Sequence, residues 1–79
     1  MSVYAERNYR GDYFEVDVDI DDFQVYAAGY DGSIDVIGGR WEVCDDAYYR
    51  GRCTVIDGRY ESLDRLGLAG GIGSIRLLN

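Results

Sequence analysis

The sequence has no histidine, no lysine and no proline. Without histidine the chain lacks the commonest general base and the commonest transition-metal ligand. Without lysine the glycine-rich run "LAGGIGS", Leu68 to Ser74, cannot complete a phosphate loop, and its spacing does not match one. Without proline no loop is stiffened by a locked φ. Arginine supplies all eight basic side chains, set against fifteen acids, for a net charge of −7. That field repels phosphate backbones and anionic lipid, which argues against nucleic acid or a membrane surface as partner. It suits cations, basic partners or plain solubility, the last being the simplest account. No apolar run approaches the roughly 20 residues of a membrane-spanning helix, and "MSVYAERNYR" has no hydrophobic signal-peptide core. The expected location is therefore the cytoplasm, or a secreted or periplasmic one after removal of a signal peptide that this chain does not carry.

What is present is a globular composition, 47% apolar, in 79 residues, which predicts one domain over residues 1–79 with a thin core that an extra staple would help. "YRGDYFEV" from Tyr9 returns as "YRGRCTVI" from Tyr49. Aligned on Gly11 and Gly51, Val3 falls on Val43, Tyr4 on Cys44, Val16 on Ile56 and Phe23 on Leu63. After one extra residue, Ser33 falls on Ser74 and Ile34 on Ile75. The chain reads as an internal duplication, motif one at 1–39 and motif two at 40–79, joined too tightly to move independently.

The patterning within each motif is β. "YFEVDVDI" alternates Phe14, Val16, Val18 and Ile20 with Glu15, Asp17 and Asp19, predicting a half-buried strand with a wet acidic face. "SIDVI", "RWEVC", "RCTVI" and "GSIRLL" read as further short strands between glycines. "ESLDRLGL" predicts one short helical turn with Leu63, Leu66 and Leu68 inward. Seven or eight strands predict an all-β sandwich. The acidic alternation at 15–19 discourages edge-to-edge pairing, so a monomer is expected.

Each half carries an aromatic or its equivalent, a second aromatic, a glycine and a distant serine: Tyr4, Tyr9, Gly11 and Ser33, then Cys44, Tyr49, Gly51 and Ser74. This resembles the Greek-key motif of the βγ-crystallin superfamily, and the second half is similar to bacterial single-domain members. The resemblance implies two four-stranded motifs that exchange their third strands. It also implies a hairpin bend needing positive φ at Gly11 and Gly51, with Ser33 and Ser74 bonding the bend. Tyr9, Tyr49 and Trp41 are expected to fill the corners and the core.

Cys44 and Cys53 flank "DDAYYRGR" on the two arms of one hairpin, where cross-strand neighbours can reach disulfide spacing. A bridge is the preferred reading and would favour a secreted or periplasmic location; two reduced thiols are the alternative. Similar cysteine pairs occur in bacterial relatives, including metalloprotease-inhibitor-like ones. Calcium is the family's usual ligand, held by two Asn/Asp-Asn/Asp-x-x-Ser/Thr-Ser motifs. Here the stretches are "AGYDGS", Ala28 to Ser33, and "AGGIGS", Ala69 to Ser74. Both keep the last serine, lack the leading Asn/Asp, and carry Gly32 or Gly73 where the hydroxyl belongs. The expectation is no required cofactor and at most weak calcium, with Asp31, Ser33 and Asp45 as the candidate ligands. Adjacent carboxylates such as Asp21-Asp22 and Asp45-Asp46 do not make an acid–base pair, because neighbours on a strand face opposite ways. The function predicted is a non-enzymatic structural or binding module. The alternative is a secreted protease inhibitor, although no bait loop is evident.

Overall fold

A computed structural model describes residues 1–68 and 70–79; Ala69, the first residue of "AGGIGS", lies outside the described residues. Among the described residues seven strands form two antiparallel sheets: β1 (Ser2–Glu6), β2 (Arg10–Glu15), β3 (Ser33–Asp35), β4 (Trp41–Asp46), β5 (Arg50–Ile56), β6 (Arg59–Tyr60) and β7 (Ser74–Leu77). One sheet has the order β2-β1-β3-β6 and the other β5-β4-β7. The all-β sandwich is thus as expected, and the halves cross over as expected. β6, from the second half, pairs with β3 of the first, while Ile20 of the first half bridges to Ile75 in β7. The registers of the two hairpins match, Val3 opposite Phe14 and Val43 opposite Thr54, each with a shift just before the turn.

The core is shared between the sheets. Val3, Phe23 and Ile34 from one half and Val43, Ile56 and Ile75 from the other are completely buried. Trp41 is in this core too, its indole N–H donating to Gly38 O at 3.2 Å. Neither half could bury its apolar face alone, because each crossing segment ends on the other's sheet.

Two expectations change. The run from Phe14 to Ile20 is not one strand. β2 ends at Glu15, Val16 and Ile20 stay buried, and Val18 is 63% exposed. The chain has to leave its own sheet to reach β7, and a bend at Val18 turns that side chain outward. Helical structure also exceeds one turn. The expected 3-10 turn is at Leu63–Leu66, with Leu63 and Leu68 buried and Leu66 packed against the core. Its counterpart is α1 (Phe23–Ala27), where Phe23 occupies the place of Leu63. Asp22 stands at the N-cap but its side chain makes no cap hydrogen bond, so burial of Phe23 and Ala27 holds this short helix.

Candidate functional site

The residues that define each motif meet at its hairpin turn. Gly11 and Gly51 both have φ +78°, which glycine adopts at little cost. Acid side chains, of Glu6 and Asp45, fill the space where a Cβ would stand. The turn also forces Asn8, Tyr9, Tyr48 and Tyr49 to φ of 59–61°. Asparagine tolerates this region, but tyrosine does so at a cost of about 1–2 kcal/mol. Sequence reasoning assigned positive φ to the glycines alone and missed these four residues; no local composition signal marks the tyrosines.

A buried serine offsets that strain in each half. Ser33 Oγ accepts from Tyr9 N at 2.9 Å and donates to Glu6 O at 2.7 Å. Ser74 Oγ does the same with Tyr49 N at 2.9 Å and Asp46 O at 2.7 Å. Both serines are fully buried, so these bonds are shielded from water. A guanidinium covers each tyrosine, Arg59 over Tyr9 at 4.3 Å and Arg76 over Tyr49 at 4.8 Å. Tyr9 and Tyr49 therefore stand half-buried at the corners.

Cys44 and Cys53 are opposite each other on β4 and β5 and are joined as a disulfide. With Glu42 they form the single group of three potential metal-binding side chains found among the described residues. Both sulfurs are spent in the bridge, so no thiolate is available to a metal there.

The candidate calcium ligands are engaged separately. Ser33 Oγ serves the turn. Asp45 Oδ1 accepts from Arg52 N at 2.9 Å. Asp31 is exposed, with its carboxylate beside Gly71, 3.6 Å from where a Cβ would be. Gly32 and Gly73 meet the hairpin backbone at close range. A Cβ on Gly32 would lie 2.2–2.5 Å from backbone atoms of Glu6, and one on Gly73 2.3–2.6 Å from those of Asp46. In the second loop, Gly73 O accepts from Phe23 N at 2.7 Å and Ile72 O from Gln24 Nε2 at 2.7 Å.

The fold recurs among solved structures. A transition-metal-ion-binding βγ-crystallin from Methanosaeta thermophila superposes with a TM-score of 0.83 at 19% identity, over all of both chains. A βγ-crystallin from Ciona intestinalis gives 0.79 at 22%, covering 98% of this chain and 96% of its own. A βγ-crystallin from an archaeon gives 0.77 at 25%, covering 98% and 94%. No curated protein matches the sequence. The Beta/Gamma crystallin family model matches residues 1–78, and with the paired serine-clamped turns inside a two-sheet sandwich, this chain belongs to the β/γ-crystallin family.

Proposed function

We propose that the chain is a non-enzymatic structural or binding module: one domain of two Greek-key motifs, 1–39 and 40–79, whose calcium loops are degenerate. The close approach of Gly32 and Gly73 to the hairpin backbone carries this reading. The family motif needs a Ser or Thr hydroxyl at those positions, and here even a methyl group would overlap backbone atoms. Calcium wants six to eight oxygens, several of them charged, and its affinity falls as ligands are lost. The second loop retains no carboxylate and turns two of its carbonyls to protein donors. The first retains Asp31. Calcium therefore binds at most in the millimolar class, at Ala28–Ser33, and not tightly at Ala69–Ser74.

The metal-binding relative from Methanosaeta raises transition-metal binding as a further property. This chain has no histidine and its two cysteines are bridged, which leaves only hard carboxylate oxygens. The disulfide favours an oxidising compartment, secreted or periplasmic, and the acidic surface favours a monomer away from nucleic acid and membrane. Among the described residues no helix is long and apolar enough to cross a membrane.

Titration calorimetry of chelator-stripped protein tests the calcium reading. The expected result is a weak transition that Asp31→Ala removes. A submicromolar transition would overturn it and show that backbone carbonyls suffice.

A further inference from the structure

Glu42, Cys44 and Cys53 share one place on the outer face of the β5-β4-β7 sheet. Val43 belongs to the core, so its neighbours Glu42 and Cys44 point to the other face, and Cys53 stands opposite Cys44 on that same face. The outer face of a sandwich is ordinarily wet, yet Cys44 is completely buried there. The hairpin turn folds over it: Tyr49 O is 3.8 Å and Gly51 O 3.9 Å from Cys53 Sγ. Glu42 and Cys53 are half-buried. The two sulfurs and a carboxylate oxygen of Glu42 lie within 4.8 Å of one another. Glu42 Oε1 accepts from Arg76 Nε at 2.7 Å, which orients the carboxylate, and among the described residues its other oxygen has no protein donor.

The same backbone place in the first half does without these groups. Tyr4 and Tyr13 are the counterparts of Cys44 and Cys53, opposite each other in the same register, with ring centroids 5.7 Å apart, and Ser2 stands in the place of Glu42. Packing alone therefore satisfies a position of this kind. In the second half the place holds two sulfurs and a carboxylate, donors suited to a thiophilic ion, and the disulfide is what withholds them.

We propose that reduction of the Cys44–Cys53 bridge opens a site for one thiophilic divalent ion of the zinc class, with Cys44, Cys53 and Glu42 as its protein ligands. A dithiol is the reductant. Its first thiolate attacks Sγ of the half-exposed Cys53; the disulfide bond breaks and Cys44 leaves with the electron pair and takes up a proton. Its second thiol then displaces Cys53, so the protein gains two electrons and two protons and the reductant departs as a cyclic disulfide. The ion replaces the two thiol protons, which pass to solvent. Two thiolates on a tetrahedral zinc at about 2.3 Å stand roughly 3.8 Å apart. The Cα atoms of Cys44 and Cys53 are 4.0 Å apart, so side-chain rotation alone reaches that separation. Glu42 takes the third position and water the fourth. Soft sulfur ligands select zinc over calcium and magnesium. The ion then joins β4 to β5 at the same residue pair as the disulfide, so the hairpin is stapled in reducing as well as oxidising surroundings. The site shares no ligand with the calcium reading, so either can fail alone.

Cobalt(II) and zinc(II) salts are the probes, titrated without oxygen into the full chain after reduction by a dithiol and its removal. The expected result is one cobalt per chain with thiolate-to-metal charge-transfer absorption, displaced by one equivalent of zinc, and no such absorption in the oxidised protein. Zinc should also restore most of the melting temperature that reduction costs. Glu42→Gln should weaken uptake about tenfold or more, whereas Glu15→Gln, the same charge change in the other hairpin, should weaken it less than about twofold. Absence of the thiolate bands, equal uptake by oxidised and reduced protein, one ion shared between two chains in size-exclusion chromatography, or equal affinity in Glu42→Gln and the parent would each overturn the proposal. Should reduction unfold the chain, recovery of its near-ultraviolet dichroism on adding zinc supports the site, and failure to recover overturns it. Should Glu42→Gln not fold, the comparison of oxidised with reduced protein still decides.

Discussion

In the first half Ser33 holds the Asn8–Tyr9 turn, and in the second Ser74 holds Tyr48–Tyr49, with the same pair of distances, 2.9 and 2.7 Å. The crossing segments next to those turns have little in common. One is a paired strand closed by Arg59 and Asp35; the other is an acidic, loosely attached loop over a cleft. Buried contacts have one solution, because an unsatisfied backbone group costs about 1–3 kcal/mol. Exposed charges have several, because surface ion pairs contribute about 0–1 kcal/mol. Even the sign pattern is reversed: Asp35 and Arg59 in one half correspond to Arg76 and Asp19 in the other, and each tyrosine still carries a guanidinium.

The strongest way to break this likeness is Gly32→Ala or Gly73→Ala. Each places a methyl group within overlap of a hairpin backbone and should cost about 4 kcal/mol or more in urea unfolding. A cost below about 1 kcal/mol in either would show that the loop can retreat, and would reopen that calcium site.

Reducing the disulfide, or replacing Cys44 and Cys53 by alanine, removes a staple that only the second half has. The short closed loop corresponds to about 2.5–3 kcal/mol in the chain-entropy model, and β4–β5 amides should lose more exchange protection than β1–β2. Equal loss across both hairpins would mean that the halves open as one unit.

Ser33→Ala and Ser74→Ala should each cost about 1–3 kcal/mol, and the two costs should agree closely, since each strands a turn N–H and a carbonyl. A large difference would show that the matching distances hide different strain. Arg59→Ala and Arg76→Ala should cost only about 0.5–1 kcal/mol each in the same assay.

The smallest effect is in alkali. The pKa of Tyr49 is raised in the folded state, so the unfolded chain loses that proton first as pH rises past about 10. Its contribution is intact below the unfolded value and is lost as pH climbs toward the folded one. Stability should therefore fall more steeply above pH 10 in the parent than in Tyr49→Phe; parallel curves would mean that neither burial nor Asp19 and Asp21 raise the pKa of this ring.

Much of the hairpin architecture was legible because it depends on local signals. Gly11 and Gly51 mark the bends, short β-branched and aromatic runs between glycines mark β3, β4, β5 and β7, and the family resemblance implies the serine clamps, whereas β1 carries no signal that was read. α1 was not legible, since "FQVYA" becomes helical through the burial of Phe23 and Ala27. The Val16–Ile20 run misled for a related reason: its alternation is that of a strand, but the demand to reach Ile75 on the other sheet bends it at Val18.

The glycines at 32 and 73 illustrate the division most clearly. Sequence alone determined that glycine stands at positions 32 and 73, where the proposed reading looks for a hydroxyl, since that is a matter of residue identity. Only the tertiary structure decided that a side chain there would meet backbone, because the Glu6 and Asp46 backbones that crowd those positions lie 26 and 27 residues earlier in the chain. Residue types fix the ligand atoms a chain can offer. Which of those atoms converge, and which are walled off by backbone, depends on contacts between segments far apart in sequence, and these form only when both halves fold around one core.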